Sequence, residues 1–225
     1  MQDLATLARS STPRGEVVLR QRGSVEELVV NGTFAMDSTE TSSERELGRL
    51  ARGAGRVLVG GLGLGYTVAA VLDEADRGAY AVAVDVVELE ADLVAWAHEG
   101  RTPTLARAAT DPRVRLFSGD VATVLAGRRK DLPGPWDAIL LDVDNGPDFL
   151  IHAANDALYA EPGLRDAYAR VAPGGVLAIW CQAPSPPLLA ALARIDPSAR
   201  ERRHEVQREG RTFTYAVETV RRPRA

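Results

Sequence analysis

Cysteine is almost absent from this chain of 225 residues, and its scarcity excludes several classes of protein. With Cys181 as the single cysteine, the chain has neither an internal disulfide nor a cysteine-based zinc site. We therefore expect a protein of the reducing cytoplasm. Long apolar runs are missing too. None reaches the roughly 18 residues of a membrane-spanning helix, so we expect no such helix. The N-terminus lacks the apolar segment of a secretory signal, so we expect no such signal either.

A large excess of charge is also missing. The formal net charge is −4 at pH 7, and Lys130 is the only lysine among 27 basic residues. Because a mildly acidic chain is not attracted to nucleic acid, we expect no nucleic-acid partner, and no membrane partner either. With 45% hydrophobic residues, the length suits one globular α/β unit that buries a sizeable core.

Glycine, by contrast, is concentrated in Arg56–Val68, which reads RVLVGGLGLGYTV. Apolar and β-branched residues lead into Gly60, Gly61, Gly63 and Gly65, and a helical pattern follows at once. A strand, a glycine turn and a helix in this order bring backbone close to a nucleotide. Glycine allows positive φ and leaves room for a ligand, and the helix start offers unpaired N–H groups. Taken alone, such a loop fits a tight turn that binds no ligand equally well.

The chain before this loop has the pattern of a small β structure. Residues 1–15 are polar, and we expect a loose lead-in there. The runs Glu16–Arg22 and Glu26–Val30 alternate apolar and polar residues around a Gly-Ser pair, which predicts a hairpin. Asn31-Gly32 marks a second turn before a short third strand. We therefore predict an N-terminal β segment and gate region over 1–50.

From Arg56 onward, strand-like and helical runs alternate, which implies a mostly parallel sheet covered by helices on both faces. The strand-like runs are Arg56–Val59, Tyr80–Glu88, Val114–Phe117, Ala138–Leu141 and Val176–Trp180. The helical runs are Tyr66–Asp73, Glu90–His98, Val121–Ala126, Pro162–Val171 and Pro187–Ile195. Two late runs, Arg203–Gln207 and Thr212–Val220, predict a closing antiparallel pair around Glu209-Gly210. We assign residues 51–225 to one Rossmann-like nucleoside-binding catalytic domain.

Acidic residues stand where strands of this sheet end, and a nucleoside site in such a sheet lies at the carboxyl ends of the strands. Glu88 follows the glycine loop by about 20 residues, the place of an acid that accepts hydrogen bonds from ribose hydroxyls. The alternative is a surface acid that caps the next helix. Asp120 could accept from an adenine amine beside the Val121 N–H, or it could be an ordinary helix cap.

The fourth strand of the large sheet ends in a denser polar cluster, Asp142, Asp144 and Asn145. A buried strand that ends in several acids is costly to maintain without a task. The Asp142 carboxylate could orient or deprotonate an attacking amine, or pair with a cationic substrate. The three residues could instead hold Mg²⁺, but two acids and an amide do not by themselves make a site, and we expect no metal.

Further polar residues follow this cluster and could line an acceptor pocket. They are His152, Asn155 and Tyr159. An imidazole titrates near neutral pH and suits base catalysis, although a lone histidine is more often structural.

This order of features resembles the class I methyltransferase-like Rossmann fold. More narrowly, GGLGLG, VVELE, DPRVRLFSGDV and WDAILLDVD are similar to the spermidine synthase family of polyamine aminopropyltransferases. VGGLGLGYT, LLDVDNGP and NDALY resemble a bacterial spermidine synthase-like group, and the similarity extends from about Glu16 to Trp180. The resemblance implies a mostly parallel seven-stranded sheet with helices on both faces and a small N-terminal β-hairpin segment.

The resemblance also implies a cofactor, S-adenosylmethionine or its decarboxylated form. The residues that would bind it are Gly60, Gly61, Gly63, Gly65, Glu88, Leu89, Asp120, Val121 and Asp142. Asp142, with Asp144 beside it, would face the attacking nucleophile. The family often forms dimers, so a homodimer is a further expectation by analogy.

The chain departs from this family inside the glycine loop. Spermidine synthases carry an aspartate there, which binds the aminopropyl amine, and Gly63 holds that position here. Intact S-adenosylmethionine also carries a carboxylate, which such an acid would repel. The glycine therefore favours intact S-adenosylmethionine.

Two further departures concern the acceptor. The family has a second aspartate three places after the catalytic one, where this chain has Asn145, with Asp144 shifted by one. The gate tyrosine and glutamate of the family correspond to Glu44 and Glu46, and Glu44 is a candidate for substrate binding. These losses weaken the case for a polyamine acceptor.

We therefore favour methyl transfer from S-adenosylmethionine to a small-molecule acceptor, with Asp142 orienting or deprotonating the nucleophile. Aminopropyl transfer to an amine is the first alternative. Intramolecular cyclisation of the cofactor and a non-catalytic nucleoside-binding role remain further alternatives.

Overall fold

Two β-sheets organise the computed structural model, which describes residues 3–152, 155–208 and 210–224. The first sheet is antiparallel and contains β1 (Leu4–Thr12), β2 (Gly15–Arg22), β3 (Val25–Val30) and β4 (Thr33–Asp37) in chain order. The predicted hairpin and third strand are therefore present.

The polar N-terminus is the main exception to the predicted fold. It is a strand, β1, whose register with β2 runs from the pair Leu4 and Arg22 to the pair Thr12 and Gly15. The prediction of a loose lead-in is therefore wrong. Because β1 is an edge strand whose side chains are exposed or half-buried, backbone pairing defines its register, and no apolar alternation marks it in the sequence, although Leu7 and Ala8 pack against the core.

The large sheet has seven strands in the spatial order β10-β11-β9-β8-β5-β6-β7. Its strands are β5 (Arg56–Gly60), β6 (Ala83–Glu88), β7 (Val114–Ser118), β8 (Trp136–Leu141), β9 (Val171–Cys181), β10 (Arg200–Arg208) and β11 (Arg211–Arg221). Strands β5 to β9 are parallel, and β11 runs antiparallel to β9 and β10. The predicted α/β sheet and its closing antiparallel pair are confirmed, although Glu209 of the predicted turn lies outside the described residues.

Helices connect the parallel strands. They are α1 (Ser42–Arg49), α2 (Tyr66–Gly78), α3 (Ala91–His98), α4 (Pro103–Thr110), α5 (Val121–Leu125), α6 (Asp156–Tyr159), α7 (Glu161–Ala169) and α8 (Pro186–Ile195). The sequence prediction missed α4, although its start carries a recognisable signal. Thr102 caps the helix by accepting from the Leu105 N–H, and Pro103 occupies the first helical position. No helix in the described ranges is long and apolar enough to cross a bilayer.

One apolar core joins the small sheet to the large one. Leu19 and Leu28 of the small sheet belong to the same buried cluster as Leu47 of α1 and Val57 and Val59 of β5. Each buried leucine of this kind stabilises the fold by about 1.5–3 kcal/mol. The segments 1–50 and 51–225 thus share a core, and the small sheet is held beside the carboxyl edge of the large one.

Two acids, one buried and one half-buried, lie opposite each other on the two antiparallel strands at the far edge. Glu218 of β11 lies directly opposite Glu201 of β10 and is fully buried. Burial, and then the charge of Glu201, raise the pKa of the Glu218 carboxyl to about 8. An unfolded glutamate titrates near pH 4.3, so the folded chain holds a proton that the unfolded chain releases.

We expect the stability that this proton supports to be complete below about pH 4.3 and to be lost as the pH rises through about 8. Glu218→Gln removes the titration and should flatten this part of the pH profile of the melting temperature. The exposed Glu205 of β10 supplies the control, Glu205→Gln, which should follow the wild-type profile. Identical profiles for wild type and Glu218→Gln would contradict the assignment.

Candidate active site

A cleft lies between the small sheet and the carboxyl edge of the large sheet. It measures about 920 Å³, a volume that includes the open space at its mouth. The predicted site residues in its wall are Glu44, Gly61, Gly63, Glu88, Leu89, Asp120, Val121, Asp142, Asp144, Asn145, His152 and Asn155. The structure therefore brings together residues that lie more than 100 positions apart in the chain.

The glycine loop is shaped by its neighbours as well as by room for a ligand. Gly61 has φ of 90°, and a Cβ there would lie 2.1 Å from the Asp142 carbonyl oxygen. A Cβ on Gly60 would contact Leu141 at 3.0 Å, and Gly65 is the N-cap of α2 with φ of 88°. Gly60 and Gly65 thus have packing and turn roles, whereas Gly61 and Gly63 line the cleft.

Met36 of β4 occupies the space beside Gly63. A Cβ on Gly63 would lie 2.7 Å from the Met36 sulfur. The same sulfur accepts a hydrogen bond from the Leu64 N–H at 3.2 Å, next to the start of α2. Because a thioether is a weak acceptor, this amide is poorly satisfied. The sequence offered no sign that a methionine of the small sheet would reach the glycine loop.

Glu88 fastens the glycine loop from the end of β6. Its Oε2 accepts from the Leu62 N–H at 2.7 Å, and its Oε1 accepts from the Glu90 N–H at 2.8 Å. Burial raises the pKa of this carboxyl. An ionised carboxylate has about four lone-pair sites, so both oxygens retain acceptor capacity. Glu88 therefore lies in the cleft, as predicted, and also holds the backbone of the glycine loop in place.

An arginine of the small sheet contacts the same edge. Arg14, in the β1–β2 turn, donates from Nε to Glu90 Oε1 at 3.0 Å and from Nη2 to the Leu89 carbonyl at 2.9 Å. His152 lies on the other side of Glu90, with Nε2 at 3.7 Å from Oε1. No pattern in the sequence connects Arg14 with this site.

Asp120 follows β7 and caps α5. Its Oδ1 accepts from the Ala122 N–H at 2.7 Å, which is the helix cap considered as the alternative. Asp120 and Val121 also border the cleft, so the cap does not remove them from the candidate site.

The buried Glu44 and the half-buried Asp142 form a pair of carboxyl groups in the cleft wall. Thr67 Oγ1 donates to Asp142 Oδ2 at 2.6 Å, and Ser43 Oγ donates to Glu44 Oε2 at 2.6 Å. Burial raises the pKa of Asp142 to about 6, while burial and the neighbouring Asp142 charge raise the pKa of Glu44 to about 7. The pair can therefore take up or release a proton near neutral pH.

Asp144 organises the loop after β8. Its Oδ1 accepts from the Ile151 and His152 N–H groups at 3.0 Å each, and its Oδ2 accepts from Asn155 Nδ2 at 2.6 Å. These contacts make Asp144 a positioning residue that holds His152 and Asn155 in the cleft wall, rather than a group directed at a reacting atom. Asn145 reinforces the loop, since its carbonyl accepts from the Gln182 N–H at 3.0 Å.

Tyr159 corrects one sequence prediction. Its hydroxyl donates to the Val143 carbonyl at 2.6 Å, and its side chain is buried in the core on the opposite face of the large sheet from the small sheet. Tyr159 therefore lies behind the cleft wall, and its predicted place in the acceptor pocket is wrong. The phenol needs a partner when buried, and the nearby carbonyl provides it. In the described ranges, no three His, Cys, Asp or Glu side chains are grouped as metal ligands.

Solved structures identify the class of fold. A probable spermidine synthase from Corynebacterium glutamicum superposes with a TM-score of 0.62 and 16% identity, covering 95% of this chain and 79% of that chain. A putative O-methyltransferase from Klebsiella pneumoniae superposes with a TM-score of 0.54 and 18% identity, and the match covers 81% of each chain. The O-methyltransferase TomG from Streptomyces achromogenes, in complex with SAM, superposes with a TM-score of 0.54 and 14% identity, and the match covers 82% of each chain.

The chain therefore has the Rossmann-like fold of class I S-adenosylmethionine-dependent methyltransferases. At these identities the likeness establishes the fold, and the narrower spermidine synthase-like resemblance stays a prediction. In comparisons of the sequence itself, no family model and no curated protein matches the chain.

The coupling between these two acids, Asp142 and Glu44, can be measured. Because the Asp142 charge helps to raise the pKa of Glu44, Asp142→Asn should lower that pKa from about 7. Burial remains, so the value should stay above the ordinary glutamate range. Carbon-13 NMR of the labelled glutamate carboxyls reads the titration directly. Asp120→Asn is the control, and an equal shift in both variants would contradict the pairing.

Proposed function

We propose that the protein is an S-adenosylmethionine-dependent methyltransferase that acts on a small-molecule acceptor. The observation that carries this proposal is the convergence in one cleft of a glycine loop at a helix start, two acids at neighbouring strand ends, and the Asp142–Glu44 pair. The first two features suit an adenosyl cofactor. The carboxyl pair suits proton removal from an acceptor.

The residues present fit this cofactor. Glu88 has acceptor capacity left for ribose hydroxyls, and Asp120 and Val121 would border the adenine. The Leu64 N–H has only a thioether as partner, and a cofactor carboxylate is a much stronger acceptor. Met36 is unbranched and flexible, so it can move aside. The bound cofactor supplies a methyl group on a positively charged sulfur.

The chain itself would supply alignment and proton transfer. Asp142, oriented by Thr67, would hold the acceptor and take its proton, and Glu44 would share the charge. The loop fixed by Asp144 would set the wall on one side of the acceptor. Apolar residues of the small sheet, such as Val17 and Leu28, line the cleft and would exclude water.

Cofactor selectivity tests the first half of this proposal. In isothermal titration calorimetry, we expect S-adenosylmethionine to bind at least about tenfold more tightly than its decarboxylated form, a difference of about 1.4 kcal/mol. The reason is that only the intact cofactor has a carboxylate for the Leu64 N–H. The double variant Gly63→Asp with Met36→Ala should reduce or reverse this preference, because it adds an acid where Met36 no longer blocks it. A wild-type preference for the decarboxylated form would contradict the proposal.

Catalysis tests the second half. Asp142→Asn should lower kcat by about 10²–10⁴, the usual contribution of a general base, while the affinity for S-adenosylmethionine changes little. The assay incubates the protein with the cofactor and a panel of amines, phenols and acids, and separates methylated products by mass. Asp131→Asn, at a half-exposed ion pair, is the matched control. Unchanged turnover in Asp142→Asn would show that another group removes the proton.

Aminopropyl transfer to an amine is the second candidate. It is favoured by one observation: the probable spermidine synthase structure covers 95% of this chain, whereas the two methyltransferase structures cover 81% and 82%. The same mass analysis, repeated with decarboxylated S-adenosylmethionine as the donor, separates the candidates, because each adds a different group to the acceptor.

A further inference from the structure

A second cleft adjoins the candidate active site, and the two have five wall residues in common. These are Ala35, Met36, Glu44, Asn145 and Trp180. The second cleft measures about 910 Å³ with its open mouth, and β4, the β4–α1 loop, the end of β9 and β11 enclose it. Because the wall is shared, a molecule in the second cleft borders Glu44 of the carboxyl pair.

Aromatic side chains dominate one part of this wall. Phe34 and Phe213 are 37% and 39% exposed, which is unusual for phenylalanine, and both border the second cleft. Tyr215 and Trp180 continue the wall, with ring centroids 5.4 Å apart. Exposed aromatic surface around a concave site is typical of ligand binding. This part of the wall fits a ligand with a planar, apolar ring.

Carboxyl groups dominate the other part. Asp37, Glu40 and Glu44 line the second cleft, and Arg211 is the single basic residue among its described wall residues. This excess of acids repels an anionic ligand and attracts a cation. The aromatic faces favour a cation as well.

Trp180 adds an observation of a different kind. It stands in the wall common to both clefts, is 7% exposed, and its Nε1–H has no hydrogen-bond partner among the described residues. A buried donor left unpaired costs about 1–3 kcal/mol. The π-face of an aromatic ligand ring is a weak acceptor for such an N–H and would offset part of that cost.

We propose that the second cleft is the acceptor site and that the acceptor is an arylalkylamine, an aromatic ring joined to a protonated amine by a short alkyl chain. The proposal rests on the proposed methyl transfer and names its substrate class. The ring would lie against the aromatic wall, and the ammonium group would lie at Glu44, where the two clefts meet.

The chemistry of this step balances. The ammonium group first gives a proton to the Glu44–Asp142 pair, which exposes the lone pair of the amine. That lone pair forms the new N–C bond to the methyl group, and the electrons of the broken C–S bond stay on sulfur. The products are the N-methylated ammonium ion, which takes over the positive charge, and the neutral thioether, and the proton on the carboxyl pair leaves for solvent.

Binding of matched probes tests the substrate class. The protein, saturated with S-adenosylhomocysteine, is titrated separately with 2-phenylethylamine, 2-phenylethanol, 3-phenylpropionate and 1,4-diaminobutane. We expect 2-phenylethylamine to bind at least about tenfold more tightly than each of the others. Tighter binding of the propionate or the alcohol would overturn the cationic acceptor, and tighter binding of the diamine would overturn the aromatic one.

A separate titration with S-adenosylmethionine keeps the two proposals distinguishable. If the cofactor binds and no probe does, the acceptor class is wrong and the proposed function stands. If the cofactor does not bind, the proposed function is wrong, and with it the inference that rests on it.

Variants locate the probe. Phe213→Ala, at the exposed aromatic wall, should weaken 2-phenylethylamine about tenfold and leave the cofactor affinity unchanged. Glu44→Gln should weaken the amine but not 2-phenylethanol, because only the amine is charged. Leu4→Ala removes a more exposed apolar side chain on β1, outside both clefts, and serves as the control. Unchanged amine affinity in both Phe213→Ala and Glu44→Gln would place the probe elsewhere and overturn the proposal.

Discussion

The structure depends on the close approach of three strand ends around Gly61. The Gly61 N–H donates to the Val87 carbonyl at 2.9 Å, and the Asp142 N–H donates to the Gly60 carbonyl at 2.8 Å. These bonds extend the β5–β6 and β5–β8 pairings by one step beyond the strands. A side chain at Gly61 would collide with the Asp142 carbonyl, so only glycine allows this approach. The loop, Glu88 and Asp142 therefore come together as one rigid edge.

Two carboxyl groups on this edge lose hydration, which costs electrostatic free energy. Asp142 and Glu44 lie side by side, and burial raises the pKa of each because the charged form loses its hydration. The Thr67 and Ser43 hydroxyls offset part of that cost. A purely structural cleft would be more stable with apolar residues here. The pair is therefore the strongest sign that this edge performs chemistry.

The sequence predicts the parts of this site that obey local rules. Alternating strands and helices, the glycine loop and the acids at strand ends follow periodicity and turn chemistry, and the structure places Glu88, Asp120 and Asp142 in one cleft. Contacts between distant elements do not follow such rules. The reach of Met36 to Leu64 depends on how the small sheet packs against the large one, and local patterns contain no information about that packing.

Two other failures have equally physical causes. The edge strand β1 is defined by hydrogen bonds of its backbone, which leave no trace in side-chain polarity. Tyr159 follows the acidic loop in sequence, but helix α6 turns it toward the core, where its hydroxyl finds a carbonyl. Sequence proximity to a functional loop is thus a poor guide to side-chain direction.

Met36 has one more consequence. Its sulfur bonds the Leu64 amide in the first cleft, and its side chain also forms part of the second. Any ligand that displaces the Met36 sulfur from this amide changes the shape of the adjoining cleft. Met36 is then one of the shared wall residues through which the two clefts can affect each other, and thermodynamics requires any such coupling to act equally in both directions.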